Sequence, residues 1–156
     1  MANNVGKTQE FAEELIQYYI NGQALPPVGP IYVSLLSGLP GVNDVEPYTA
    51  TQIKAWEYAP GDFRAQIPTA NMAVTAIGTG VNAVRAQNTA DLEFSGGNGA
   101  PATNTIVGYC LVRGEVNVDT SAYIGYEIFP VGPKRREIKA SDVVRINAGN
   151  LTILER

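Results

Sequence analysis

Apolar positions recur at helical spacing once, early in the chain. Phe11, Leu15, Tyr18 and Tyr19 fall on one stripe of a 3.6-residue period. Thr8 stands where its hydroxyl can accept a hydrogen bond from a first-turn amide. Glu10, Glu13 and Glu14 favour the positive end of the helix dipole. Gly22 supplies a stop, and Pro26-Pro27 prevents continuation. The pattern predicts a helix over 8–21 with one face to bury, on its own sheet in the first instance or else on a neighbouring subunit.

After Pro30 the period changes. Short segments rich in Val, Ile, Tyr and Thr alternate with Gly, Pro and Asn clusters, which is how a sheet protein reads. Strands are predicted over 31–36, 64–67, 73–77, 91–94, 105–113, 122–129, 137–138, 143–146 and 151–154. Breaks fall at 38–41, 59–62, 95–101, 131–133 and 148–150. No helix-length crossover separates the segments, so the strands are expected to pair antiparallel. The expectation is one domain over 1–156, mainly β: a helix over 8–21 and an antiparallel β-sandwich over 30–156. The stretch 42–58, with Pro47 and Trp56, reads either as a long ordered loop or as a short helix near 51–58.

Composition narrows the chemistry. Of 156 residues, 45% are hydrophobic and only 17% charged, a surface more typical of a protein that is covered by partners than of a free monomer. The net charge is −4, and the one basic cluster, Lys134-Arg135-Arg136, follows Gly132-Pro133 and reads as a solvated turn. Nucleic acid is therefore not an expected partner. No apolar stretch approaches a membrane span, and the polar opening 1–7 lacks the core of a signal peptide. The chain is expected to be made in the cytoplasm. Cys110, the sole cysteine, lies in the apolar run 106–112 and reads as a small buried hydrophobe.

The catalytic inventory is thin. With no histidine, a serine or cysteine nucleophile lacks its usual base, and zinc lacks ligands. Gly78-Thr79-Gly80 is no phosphate loop. A carboxylate pair suffices for glycoside hydrolysis. Asp44, Glu46, Glu57, Asp62, Asp91, Glu93 and Asp119, however, show no spacing that singles one out. Asn43-Asp44-Val45-Glu46 offers oxygen ligands for calcium but lacks the glycine and spacing of a calcium loop, so it reads as a polar loop tip. Asn150-Leu151-Thr152 matches a glycosylation acceptor and reads as strand-edge polarity. No enzymatic activity, cofactor or metal is expected. Eight tyrosines suit interfaces, and Trp56 is the candidate exposed anchor.

The order of the pieces carries a resemblance. The helix Phe11-Ala12-Glu13-Glu14-Leu15-Ile16-Gln17-Tyr18-Tyr19 leads through Gly22-Gln23-Ala24-Leu25-Pro26 to Ile31-Tyr32-Val33-Ser34-Leu35-Leu36-Ser37. This resembles the opening of small bacteriophage virion proteins of the tail-fibre or collar type, where a helix and a proline-bearing link precede a Val-Tyr-Val-Gly-Leu-Phe strand. Residues 105–111 are similar to that family's hydrophobic-Gly-hydrophobic strand. Residues 138–153 are similar to its closing strand pair across an Ala-Gly turn. The stretch 42–63 is longer than the family pattern.

The resemblance implies a virion structural component associated with the tail, collar or fibre, without enzymatic activity. Its expected partners are other virion proteins and copies of itself, as a trimer or hexamer. Phe11, Leu15, Tyr18, Tyr19 and Trp56 are the candidate interface residues. A capsid cement or decoration protein, and a host-surface glycan-binding module, are the alternatives.

Overall fold

The computed structural model describes residues 4–24, 30–68, 72–77 and 83–155. Pro26-Pro27 and Gly78-Thr79-Gly80 lie outside them. The first half runs β1 (Asn4–Lys7), α1 (Gln9–Asn21), β2 (Ile31–Leu36), α2 (Ala50–Trp56), β3 (Arg64–Ile67), β4 (Met72–Ile77) and β5 (Ala83–Asn88). The second half runs β6 (Leu92–Glu93), β7 (Asn104–Ile106), β8 (Gly108–Arg113), β9 (Tyr123–Ile128), β10 (Arg136–Ile138), β11 (Arg145–Ile146) and β12 (Thr152–Glu155). Every strand pairing described is antiparallel. The protein is mainly β, as the punctuation of the sequence predicts, but the described residues hold two α-helices rather than one.

The centre is a five-stranded sheet in the order β1-β9-β8-β2-β3. Successive strand residues point to opposite faces, and both faces of β2 are used. Val33 and Leu35 join Ala65 and Ile67 of β3, Phe63, Leu92, Phe94, Ile106 and Leu151 in one buried cluster. Leu36, on the other face, joins Cys110 and Val112 of β8, Tyr123, Tyr126, Tyr48 and the α2 residues Ala50 and Ile53. One face thus lies under the small pairs β6–β11 and β7–β10 and the end of the sheet β12-β5-β4; the other lies under α2. Phe63 and Phe94 stack at 5.3 Å in the first cluster, burying two large side chains where the β-pieces meet the sheet.

Several boundaries differ from the sequence reading for physical reasons. The segment 105–113 is not one strand. Val107 donates its amide to the Leu36 carbonyl and accepts from Phe129, so the chain leaves the β10 pairing there and enters the central sheet as β8. Gly108 is required at that junction, because a Cβ on it would collide with the Glu127 carbonyl oxygen. The predicted strand 91–94 shortens to β6, because the chain turns after Phe94 with Ser95 at φ 50° and Gly96 at φ 63° in the left-handed region. Of the two readings of 42–58, the short helix is the one found. Thr49 caps α2, with Gln52 returning the bond to the Thr49 amide in a capping box. Strands β1 and β5 were not expected.

Candidate assembly interface

Helix α1 begins as its sequence dictates. Thr8 is wholly buried; its hydroxyl donates to the Tyr123 carbonyl at 2.8 Å and accepts from the Phe11 amide. Its backbone amide donates to Ile124, which ties the helix start directly to β9. Gly22 ends the helix in the left-handed conformation at φ 68°, with its amide on the Gln17 carbonyl.

The first two turns are held from three sides. Glu10 accepts the Ala50 amide at the start of α2 at 2.7 Å. Glu14 pairs with Arg113 at 2.8 Å, and the Arg113 guanidinium lies over the Phe11 ring at 5.3 Å. Phe11 and Leu15 are accordingly half-buried. Beyond Leu15 the anchoring stops. Ile16 is 62% exposed, Tyr18 43%, Tyr19 75% and Ile20 74%, and no residue of α1 is fully buried. The candidate stripe is thus divided, its N-terminal half lying against the protein's own sheet and its C-terminal half facing outward.

The apolar surface of α1 is also broader than that stripe. At 3.6 residues per turn, Tyr18, Phe11, Leu15, Tyr19, Ala12, Ile16 and Ile20 sweep an arc of roughly 200°. A helix lying on a core needs roughly half that arc to be apolar. Ile16 and Ile20 are the members that sequence reasoning missed. Their i, i+4 spacing, following Ala12, was the available signal. Tyr18 and Tyr19 meet edge-to-face at 5.0 Å, so the exposed end presents contiguous aromatic surface.

Trp56 does not belong to this surface. It is half-buried, stands edge-on to Tyr48 at 5.2 Å, and packs at the margin of the second cluster. A Cβ on Gly38 would come within 2.7 Å of its ring, so the backbone passes directly beside it. Trp56 thus packs at the margin of the core and stays partly accessible, apart from the exposed end of α1.

The acidic candidates scatter. Glu57 is buried in a salt bridge to Arg64 at 2.7 Å, with both side chains wholly inaccessible. The Ser34 hydroxyl donates to the Glu57 carboxylate at 2.7 Å, and the Tyr123 hydroxyl donates to its other oxygen. Burial first, and then that hydrogen bond, holds the Tyr123 hydroxyl protonated well above its usual range. Arg64 also reaches the carbonyls of Gly114, Glu115 and Asn117 at 3.0, 3.0 and 2.8 Å, fixing the loop that follows Arg113. The network that sequence reasoning overlooked therefore braces the residue that props α1. Burial likewise pushes the neighbouring Cys110 thiol up, away from the reactive thiolate.

Asp91 and Glu93 line an open cleft of about 450 Å³ with Tyr32, Arg64, Gln66 and Glu115. Asp91 lies 3.7 Å from Arg145. Asp44 accepts from the Gly41 amide at 2.6 Å and from Gln52 of α2 at 3.0 Å, so its carboxylate is engaged by its own loop and by the helix that follows. Among the described residues, no three His, Cys, Asp or Glu side chains converge on a point where a metal could sit. In the basic turn, Arg135 donates to the Phe129 carbonyl at 3.0 and 2.7 Å, and Lys134 lies over the Phe129 ring. Among the described residues, no helix is long and apolar enough to cross a membrane. No known protein family's profile matches the chain, and no curated protein matches its sequence significantly.

Proposed function

We propose that this chain is a structural component of a bacteriophage particle, seated there by the outward face of α1 against a neighbouring virion protein. The observation that carries the reading is the uncovered apolar end of a helix that is otherwise firmly held. Ile16, Tyr18, Tyr19 and Ile20 are exposed on a scaffold pinned by Thr8, Glu10 and Glu14. The anchored first turns fix where this apolar end projects, and aromatic residues dominate binding energy where they become buried.

The body behind it reads as a modified β-sandwich, with small β-pieces laid over one face of the central sheet. The helix α1 ahead of strand β2 is the part of the tail-fibre and collar pattern that supports this reading, whereas β11 and β12 pair with β6 and β5 and not with each other. The low charge suits surface that is covered by neighbours. The tail, collar or fibre is the place this reading favours; a capsid decoration protein is the alternative position.

The test is to probe purified particles of the phage carrying this gene with a labelled antibody to the chain, viewed by electron microscopy. Label at regular positions on the tail or collar is the expected result, and label on the capsid shell selects the decoration position. A chain abundant in infected lysate yet absent from particles overturns the proposal.

A further inference from the structure

The sheet β12-β5-β4 leaves the body at one side. Its inner face starts on the core, where Met72 and Ile153 pack against the first cluster and Asn88 is buried. Val74 lies across from Ala86, which in turn lies across from Ile153. That row runs off the core, and Val74 is 67% exposed, with Ala73 exposed on the opposite face. The three strands stay paired beyond this point, through Ile77 with Ala83 and Glu155 with Val84.

Among the described residues, strand β4 is bonded to β5 on one side only. With 6 residues, Met-Ala-Val-Thr-Ala-Ile, it is the longest edge strand among the described residues, and it contains neither a charge nor a proline. Proteins normally guard edges with charges, prolines or short strands, because an edge is a template for another strand. The other edges of the larger sheets are guarded in this way. β1 carries Lys7 and passes at once into α1, β3 carries the inward Arg64 and runs into Pro68, and β12 carries Glu155. Each of these has 4 residues. β4 alone among these is long and undefended.

We infer that β4 pairs edge to edge with β4 of a second copy of this chain, joining two three-stranded sheets into one of six. Composition and symmetry point to that occupant. Two identical antiparallel strands in one sheet are related by a two-fold axis perpendicular to it, which keeps each residue on its own face. A residue must then face itself, so the pairing centres on Val74 or on Thr75. The first sets Met72 against Ala76 and Ala73 against Thr75; the second sets Ala73 against Ile77 and Val74 against Ala76. In either, only apolar and β-branched residues oppose each other, and no like charges meet. The exposed Val74 row is continued by the partner's sheet instead of ending in water. This deepens the assembly reading by naming the self-contact, and it rests on copies of the chain meeting in the particle. It uses a surface separate from α1.

The test is disulfide trapping on the purified full-length chain under mild oxidation. Val74→Cys and Thr75→Cys are compared with Val116→Cys, a site equally exposed at 73% but far along the chain from β4. The buried Cys110 does not compete. One of the two β4 variants is expected to form a covalent dimer roughly tenfold faster than the control or better, as the effective concentration across a shared strand requires. Ala73→Lys/Val74→Lys is expected to convert the dimer to a monomer in sedimentation, with thermal unfolding unchanged at dilutions where the wild-type chain is itself dissociated. A dimer that traps no faster through β4 than through Val116 overturns the pairing and leaves the α1 reading standing. A wild-type chain that sediments as a monomer at all micromolar concentrations overturns it as well. Absence of the chain from labelled particles, by contrast, overturns the proposed function and is read in a different experiment.

Discussion

Replacing Glu57 with alanine is expected to lower the unfolding free energy by about 3–5 kcal/mol, the loss typical of removing one member of a buried ion pair. The magnitude follows from what remains. Arg64 would keep its charge inside the protein, 3% exposed, with the carboxylate gone. The hydroxyls of Ser34 and Tyr123 would lose their acceptor at the same time. An unsatisfied buried polar group costs about 1–3 kcal/mol, and a charged one more. Against a total stability of about 5–15 kcal/mol for a domain of ordinary size, the variant would be marginal or unfolded at body temperature.

Glu57→Leu combined with Arg64→Met is expected to lose less than the sum of the two single changes, because neither charge is then left unpaired. Arg64→Met alone also frees the carbonyls of Gly114, Glu115 and Asn117. Its unfolding by urea should therefore be accompanied by faster proteolysis of the 114–118 loop. A Glu57→Ala loss below about 1 kcal/mol would mean that water reaches the pair and that the network does not brace the fold.

On the proposed docking role of α1, the second large effect is on assembly and not on stability. Tyr19→Lys with Ile20→Lys is expected to leave unfolding within about 0.5 kcal/mol of the parent, since both side chains already face solvent. Incorporation into particles should nevertheless fall about thirtyfold or more, because burying a charge where an aromatic anchor belongs removes at least about 2 kcal/mol of docking energy. Quantitative mass spectrometry of particles from a complemented infection reads this ratio directly. Equal incorporation of variant and parent would transfer the docking role to another surface.

Elements whose signals are local were legible in the sequence. α1 had its cap, dipole charges, stripe and stop within fifteen or so residues, all pointing the same way, and the helix found matches them. β2 and β3 likewise stand where the alternation of 31–36 and 64–67 put them. The break at Val107 was hidden, because strand-formers stand on both sides of it and only the partners Leu36 and Phe129 reveal the change of sheet. β5, Ala-Val-Arg-Ala-Gln-Asn, uses residues poor in strand propensity and is held by neighbours on both sides. The Glu57–Arg64 pair could not be read, since two charges seven positions apart say nothing of burial until the turn between them is folded.

On α1, the apolar stripe of Phe11, Leu15, Tyr18 and Tyr19 was legible in the sequence, but not its division into held and free halves. That division depends on Arg113 and Ala50, which arrive from distant parts of the chain. The half-buried position of Trp56 was not legible, because aromatic identity alone does not distinguish an exposed anchor from a residue packed at a core's margin. Only Tyr48 and the close backbone of Gly38 decide it.

Amide hydrogen exchange of α1, compared between the purified chain and intact particles, tests the docking role of this helix most directly. Faster exchange in residues 16–21 than in 9–14 is predicted for the free chain, because only the first turns are anchored. In particles the 16–21 amides should slow by about tenfold or more, as a docked helix no longer frays. Unchanged exchange there, in particles that contain the chain, would contradict the claim that this helix end is what holds it in place.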